Sequence, residues 1–122
     1  MSLNEFQEQI LENYKNPKNF GIPKWSPTTL HKSENISCGD EIQMFLLIEK
    51  GIIIKISFIG QGCSICIASA SLLTERMKGM TIEFAKNYNK EDLKELLGIP
   101  LTSSREICAS ISLDAVKNAL KS

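Results

Sequence analysis

The 122-residue chain lacks a dominant charge, a membrane-length apolar run and any repeat or low-complexity tract. Its fourteen basic and fourteen acidic side chains cancel, which excludes a nucleic-acid partner held by bulk charge. Its longest apolar stretch, Met44 to Ile59, is interrupted by Glu49, Lys50 and Lys55, so no segment is suited to crossing a bilayer. The N-terminus carries Glu5, Glu8 and Glu12 where a secretory signal would place basic and then apolar residues. A cytoplasmic location follows as an expectation. Thiols stay reduced there, so four cysteines point to metal binding or catalysis ahead of two disulfides.

What is present suits one compact domain spanning 1–122, because folding at this length buries roughly two-thirds of the unfolded surface. Leu3, Phe6, Ile10 and Tyr14 recur at helical spacing, predicting a helix over 3–14 that stops before Asn16-Pro17. A loop with Trp25 follows, then a weakly alternating, polar edge strand over 28–36. His31 in that strand reads as half-exposed rather than as a ligand. Residues 41–49 and 52–59 form the strongest strand pattern, joined by Lys50-Gly51, with Ile54, Ile56 and Phe58 assigned to one face. Helices are predicted over 64–78, 81–86 and 90–97, with Gly79 and Gly98 as stops. A last helix opens at Ser103 with Glu106 completing a capping box, and carries a stripe of Ile107, Ile111, Ala115 and Ala119. Strands grouped before helices imply an α+β fold, a small antiparallel sheet covered on one face by helices.

The chemistry lies in Cys38-Gly39-Asp40, Cys63, Cys66 and Cys108, each near a predicted element boundary. The hairpin returns the end of its second strand to the start of its first, so Cys38 and Cys63 should be neighbours. Helix N-termini favour thiolates, which places Cys63, and with it Cys108, for metal binding or attack on sulfur. Gly39 and Gly60 to Gly62 would leave backbone room for a bulky ligand. Three thiolates and one carboxylate make four donors, suited to tetrahedral zinc or, through the soft sulfurs, to an iron–sulfur cluster. Asp40 is the hard, exchangeable member. Cys66 reads as an extra ligand, a redox partner or plain core. Cys63-Ser64-Ile65-Cys66 also fits a thiol–disulfide oxidoreductase, but that fold wants a strand–helix–strand surround, and Cys38 and Cys108 would then stand unexplained. A zinc domain that only binds partners is the third reading.

Taken together, several motifs in order resemble the iron–sulfur cluster scaffold family of the IscU, SufU and NifU N-terminal type: Tyr14-Lys15-Asn16-Pro17-Lys18-Asn19-Phe20-Gly21, Cys38-Gly39-Asp40, Gly60-Gln61-Gly62-Cys63-Ser64-Ile65 with Ala68-Ser69-Ala70-Ser71, and Cys108 with Arg105 before it. The resemblance implies a three-stranded antiparallel sheet with helices packed on it, and a surface site of Cys38, Asp40, Cys63 and Cys108. It implies a scaffold or carrier rather than an enzyme, one that takes persulfide sulfur from a pyridoxal-phosphate-dependent cysteine desulfurase, with Cys108 as the receiving thiol. A [2Fe–2S] cluster would be assembled there and passed to apo recipient proteins; in the SufU branch the site holds zinc and relays sulfur, as a zinc-dependent sulfurtransferase. The chain departs from both branches. Ile107 stands where IscU-type members have histidine. Leu101-Thr102-Ser103-Ser104-Arg105 replaces the Leu-Pro-Pro-Val-Lys stretch read by a dedicated chaperone, so the resemblance does not carry that chaperone partnership over. The SufU insertion between the second and third cysteines is missing, and Cys66 occupies a position usually held by serine. Cluster scaffold and zinc-bound sulfur acceptor both remain open on sequence.

Overall fold

A computed structural model describes residues 1–121. The elements run α1 (Leu3–Lys15), β1 (Thr29–Asn35), β2 (Asp40–Glu49), β3 (Ile52–Gln61), α2 (Ser64–Met77), α3 (Ile82–Asn87), α4 (Lys90–Leu97) and α5 (Ser103–Leu120). The sheet is an antiparallel meander in the order β1-β2-β3. β1 is an edge strand, as its polar alternation predicts. The β2–β3 hairpin turns on Lys50 and Gly51, both with positive φ (52° and 75°). Such two-residue turns match the right-handed strand twist and need glycine or a tolerant residue at each position.

One sheet face, built from Ile42, Met44, Leu46, Ile53, Ile56 and Phe58, is fully or almost fully buried. α5 packs across β1 and β2, and α2 packs on β3 and against α5. Alternation in β3 departs from the sequence expectation. A register shift between Leu47 and Ile48 puts Ile53 in the core and leaves Ile54 41% exposed. A bulge moves one residue to the opposite face, and a period-two pattern carries no sign of it.

α2 is buried along nearly its whole length, because α1, α4, α5 and the sheet all touch it. Its small residues let α1 approach closely. There the Ser71 hydroxyl donates to Asn13 Oδ1 at 2.6 Å and accepts from the Lys18 amide at 2.8 Å. Asn19, at φ 61°, donates to Thr74 and Glu75. The Tyr14 to Gly21 motif is therefore a strap fixed to α2. Its end pairs with β3 through Phe20 and Phe58, covering that strand's open edge. Only part of the predicted α1 stripe is inward: Ile10 is buried, while Leu3 and Tyr14 are exposed.

α5 begins one residue earlier than its predicted capping box. The cap is Thr102, whose hydroxyl accepts from the Arg105 amide at 3.3 Å, while Glu106 pairs with Lys94 at 3.0 Å. At the other end Thr29 Oγ1 donates to the Ala119 carbonyl at 2.8 Å. Tied to α4 near one end and to β1 at the other, α5 holds Cys108 against the sheet end where the two other cysteine segments arrive. Ile107, assigned to the inward stripe, is 54% exposed; Ile111, Ala115 and Ala119 are buried.

Candidate metal centre

Three junctions meet at one end of the sheet. The first is the turn Ile36 to Gly39 between β1 and β2. Asn35 pairs with Asp40 across the strand ends, so the four intervening residues must loop out. Asn35 shapes this loop: its carbonyl accepts from the Cys38 and Gly39 amides, its Oδ1 accepts from the Ser37 amide, and its Nδ2 approaches Cys38 Sγ at 3.4 Å. Asparagine favours such local bonds, which is the only sequence signal for this supporting role. Cys38 is exposed.

Asp40, the first residue of β2, is only 3% exposed. Its Oδ1 accepts from the Cys63 amide at 3.2 Å. Its Oδ2 is buried without a partner among the described residues. An unpaired buried carboxylate oxygen costs on the order of 1–3 kcal/mol or more, a deficit that a bound cation removes.

The second junction is Gly60 to Cys63, where β3 becomes α2 and Cys63 is the N-cap. The glycines here are close-packing residues and do not open room for a ligand, contrary to the sequence expectation. A methyl group on Gly60 would lie 2.3 Å from the Glu41 carbonyl oxygen. One on Gly62 would lie 2.7 Å from Asp40 Oδ1 and 2.9 Å from Cys66 Sγ. Gly39 alone fits the open reading, with φ 72° and nothing within 4 Å of a built Cβ.

The third junction is α5. Cys108 lies in its second turn and is 6% exposed, so it gains little from the helix terminus. Burial, followed by the neighbouring Asp40 carboxylate, pushes its thiol well above the ordinary cysteine range, with the adjacent Cys63 adding to the rise. In the metal-free site these surroundings favour the thiol of Cys108 over the thiolate that its helix position leads one to expect.

Sγ of Cys38, a carboxylate oxygen of Asp40 and Sγ of Cys108 lie within 4.8 Å of one another. Cys63 lines the same shallow cleft of about 540 Å³, with Gln61, Ser104 and Arg105 at its walls. Cys66 is fully buried and lies behind the cleft wall. Burial pushes its thiol up to about 12, and the negative charge at Asp40 adds to that shift. His31 is part of the β1 surface and takes no part in the donor group. Two sulfurs and one oxygen form the close donor group, Cys63 stands on the wall of the same half-open cleft outside it, and the unpartnered Asp40 oxygen suits a soft or borderline cation there.

Comparison with known proteins shows the family and the fold. Residues 5–122 match the NifU-like N terminal domain family. The zinc-dependent sulfurtransferase SufU of Bacillus subtilis is 29% identical over 94% of this chain and 88% of its own length. The iron–sulfur cluster assembly scaffold protein IscU of Buchnera aphidicola is 32% identical over 94% and 91% respectively. A solved structure from Fervidobacterium islandicum AW-1, described as a scaffold protein for the SUF system, superposes with a TM-score of 0.76 at 22% identity, covering 93% of this chain and 94% of that one. That likeness establishes the fold: an α+β arrangement of a three-stranded antiparallel sheet and helices. No described helix is long and apolar enough to cross a membrane.

Proposed function

Because the chain belongs to the NifU-like N-terminal domain family, we propose that it is a scaffold on which a [2Fe–2S] cluster is assembled from iron and desulfurase-derived sulfur and then passed on. The observation that carries this reading is the donor group of Cys38, Asp40 and Cys108, its ligating atoms within 4.8 Å, in a cleft that Cys63 also lines. Cys38, Cys63 and Cys108 would hold the cargo through sulfur, with Asp40 as the fourth, weaker donor. A hard oxygen among soft donors exchanges more readily than a fourth thiolate, which suits a carrier.

Sulfur arrives as a persulfide on a partner's cysteine. The Cys108 sulfur attacks the outer sulfur of that persulfide. The partner's S–S bond breaks, its electron pair leaves on the partner's cysteine, and a persulfide remains on Cys108. The proton that Cys108 holds in the metal-free site must leave before its sulfur attacks. Exposed Ile36 and Ile107, two residues from Cys38 and adjacent to Cys108, give the partner apolar contacts around the cleft.

The second reading is a zinc-bound sulfur carrier, favoured by the donor group of Cys38, Asp40 and Cys108 with Cys63 nearby and by similarity to the zinc-dependent relative. Anaerobic reconstitution with iron, cysteine and a cysteine desulfurase separates them. A labile sulfur-to-iron charge-transfer spectrum that is lost in Cys38→Ser and Cys108→Ser supports the scaffold. Persulfide uptake with zinc retained and no colour supports the carrier, and neither colour nor uptake overturns both.

A further inference from the structure

Cys66 is the one nucleophile of this region that the proposed function leaves idle. It is fully shielded from solvent and does not line the cleft, so it can neither meet a partner's persulfide nor take a place among the surface ligands. Its sulfur nonetheless points at the site. A methyl group at Gly62 would touch Cys66 Sγ and Asp40 Oδ1 together, so the two converge behind the glycine that precedes Cys63. Cys63 is the N-cap of α2, and Cys66 lies three residues on, in the first turn. Residues three apart on a helix lie about 5–6 Å apart at Cβ, and a disulfide needs Cβ atoms roughly 3.5–4.5 Å apart, so closure takes a shift of about 1–2 Å, which Cys63 can make as an extended cap residue outside the helical ladder. One thiol reaches the cleft and the other is buried beneath it.

The chemistry asked of the site supplies a use for such a pair. The outer sulfur of a persulfide is zero-valent, whereas cluster sulfur is sulfide, two electrons lower. We propose that Cys66 is a resolving thiol that reduces site-bound persulfide to sulfide by forming a disulfide with Cys63. The inference rests on the sulfur-accepting role proposed above. Sulfane sulfur first passes from Cys108 to the adjacent Cys63: Cys63 sulfur attacks the outer sulfur, the Cys108 S–S bond breaks, and Cys108 regains a thiol. Cys66 sulfur then attacks the inner sulfur of the Cys63 persulfide. The Cys63–Cys66 S–S bond forms, the persulfide S–S bond breaks, and the outer sulfur leaves with both protons as hydrogen sulfide. Two thiol sulfurs are oxidised by one electron each and the outer sulfur is reduced by two. An external dithiol reductant is required only to reopen the disulfide for another cycle.

The test uses the reduced, metal-free chain, loaded once in two parallel arms: by a cysteine desulfurase with cysteine, and by inorganic polysulfide. Both are then freed of small thiols and read by peptide mass mapping and sulfide assay. The wild-type chain is expected to give a Cys63–Cys66 disulfide and an equal amount of sulfide. Cys66→Ser and Cys66→Ala, each checked for a native melting transition, should keep the sulfur as persulfide and release sulfide at least about tenfold more slowly, as loss of an intramolecular partner requires. A wild-type chain that retains persulfide in both arms without that disulfide overturns the inference, as does sulfide release at wild-type rate from both variants. A desulfurase arm that loads no sulfur while the polysulfide arm yields disulfide and sulfide overturns the desulfurase partnership and upholds the role of Cys66.

Discussion

Gly62→Ala tests how the site is held without touching a ligand. The added methyl would lie 2.7 Å from Asp40 Oδ1, 3.0 Å from Asp40 Cγ and 2.9 Å from Cys66 Sγ. None of these is the free end of a flexible chain: Asp40 and Cys66 are both buried and held in regular elements. Overpacking of this kind costs about 1–3 kcal/mol. Displacing Asp40 also breaks its bond from the Cys63 amide, at about 1.5–3 kcal/mol for a bond to a charged group. The expected loss is therefore about 2.5–6 kcal/mol, a large share of the roughly 5–15 kcal/mol that a domain possesses. Urea denaturation of the metal-free chain would read it as a fall in midpoint at constant slope. Zinc affinity, from chelator competition, should fall by about 10–100-fold, because the carboxylate is no longer oriented. In the double variant Gly62→Ala/Asp40→Ala, the stability cost of the methyl should shrink by at least about 1 kcal/mol, since its main obstacle is gone. A Gly62→Ala chain with unchanged stability and zinc affinity, or a cost that persists undiminished without the carboxylate, would refute the account of this junction.

Stripping the chain of metal with a strong chelator should lower its melting temperature by on the order of 10 °C, if free metal stands near a thousandfold above its dissociation constant; an unmoved transition counts against a resident ion. The Cys66 thiol is raised from 9.0 to about 12 in the folded chain, so its stabilisation is fully present below about pH 9 and is lost as pH rises toward 12. In the metal-free chain, unfolding free energy should thus fall above about pH 9, by up to about 1.4 kcal/mol per pH unit from this thiol. Cys66→Ala should flatten that slope, and equal slopes would contradict the assignment. Thr102→Ala should cost about 1 kcal/mol by removing the α5 cap, while Ser103→Ala should stay within about 0.5 kcal/mol. Comparable losses in the two variants would show that the start of α5 is misplaced.

The hairpin, the order of helices and the arrival of Cys38 and Cys63 at one cleft were legible because each depends on local pattern and chain return. Cys108 was not placed by any local rule. Its approach depends on α5 crossing β1 and β2, a long-range packing choice that only the family resemblance pointed to. Ile54 was misassigned because it is itself the extra residue of a bulge in β3, opposite Leu47 and Ile48, which changes face without changing composition. Ser103 and Thr102 are chemically equivalent caps, so sequence alone could not rank them. Ile107 sits at core spacing yet is exposed, although its neighbour Cys108 is buried. The glycines were read for freedom when two of them are demanded by crowding, a distinction that needs the neighbours' atoms.

The donors do not stand on equal footing. Asp40 and Cys108 are rooted in a buried strand and a buried helix, while Cys38 rides a four-residue loop held mainly by Asn35. The centre is thereby hinged on one side, like a clasp with a single moving jaw. Any loosening of the cleft would begin at that jaw, where only the few bonds from Asn35 have to be given up, while Asp40 and Cys108 stay held by the packed core.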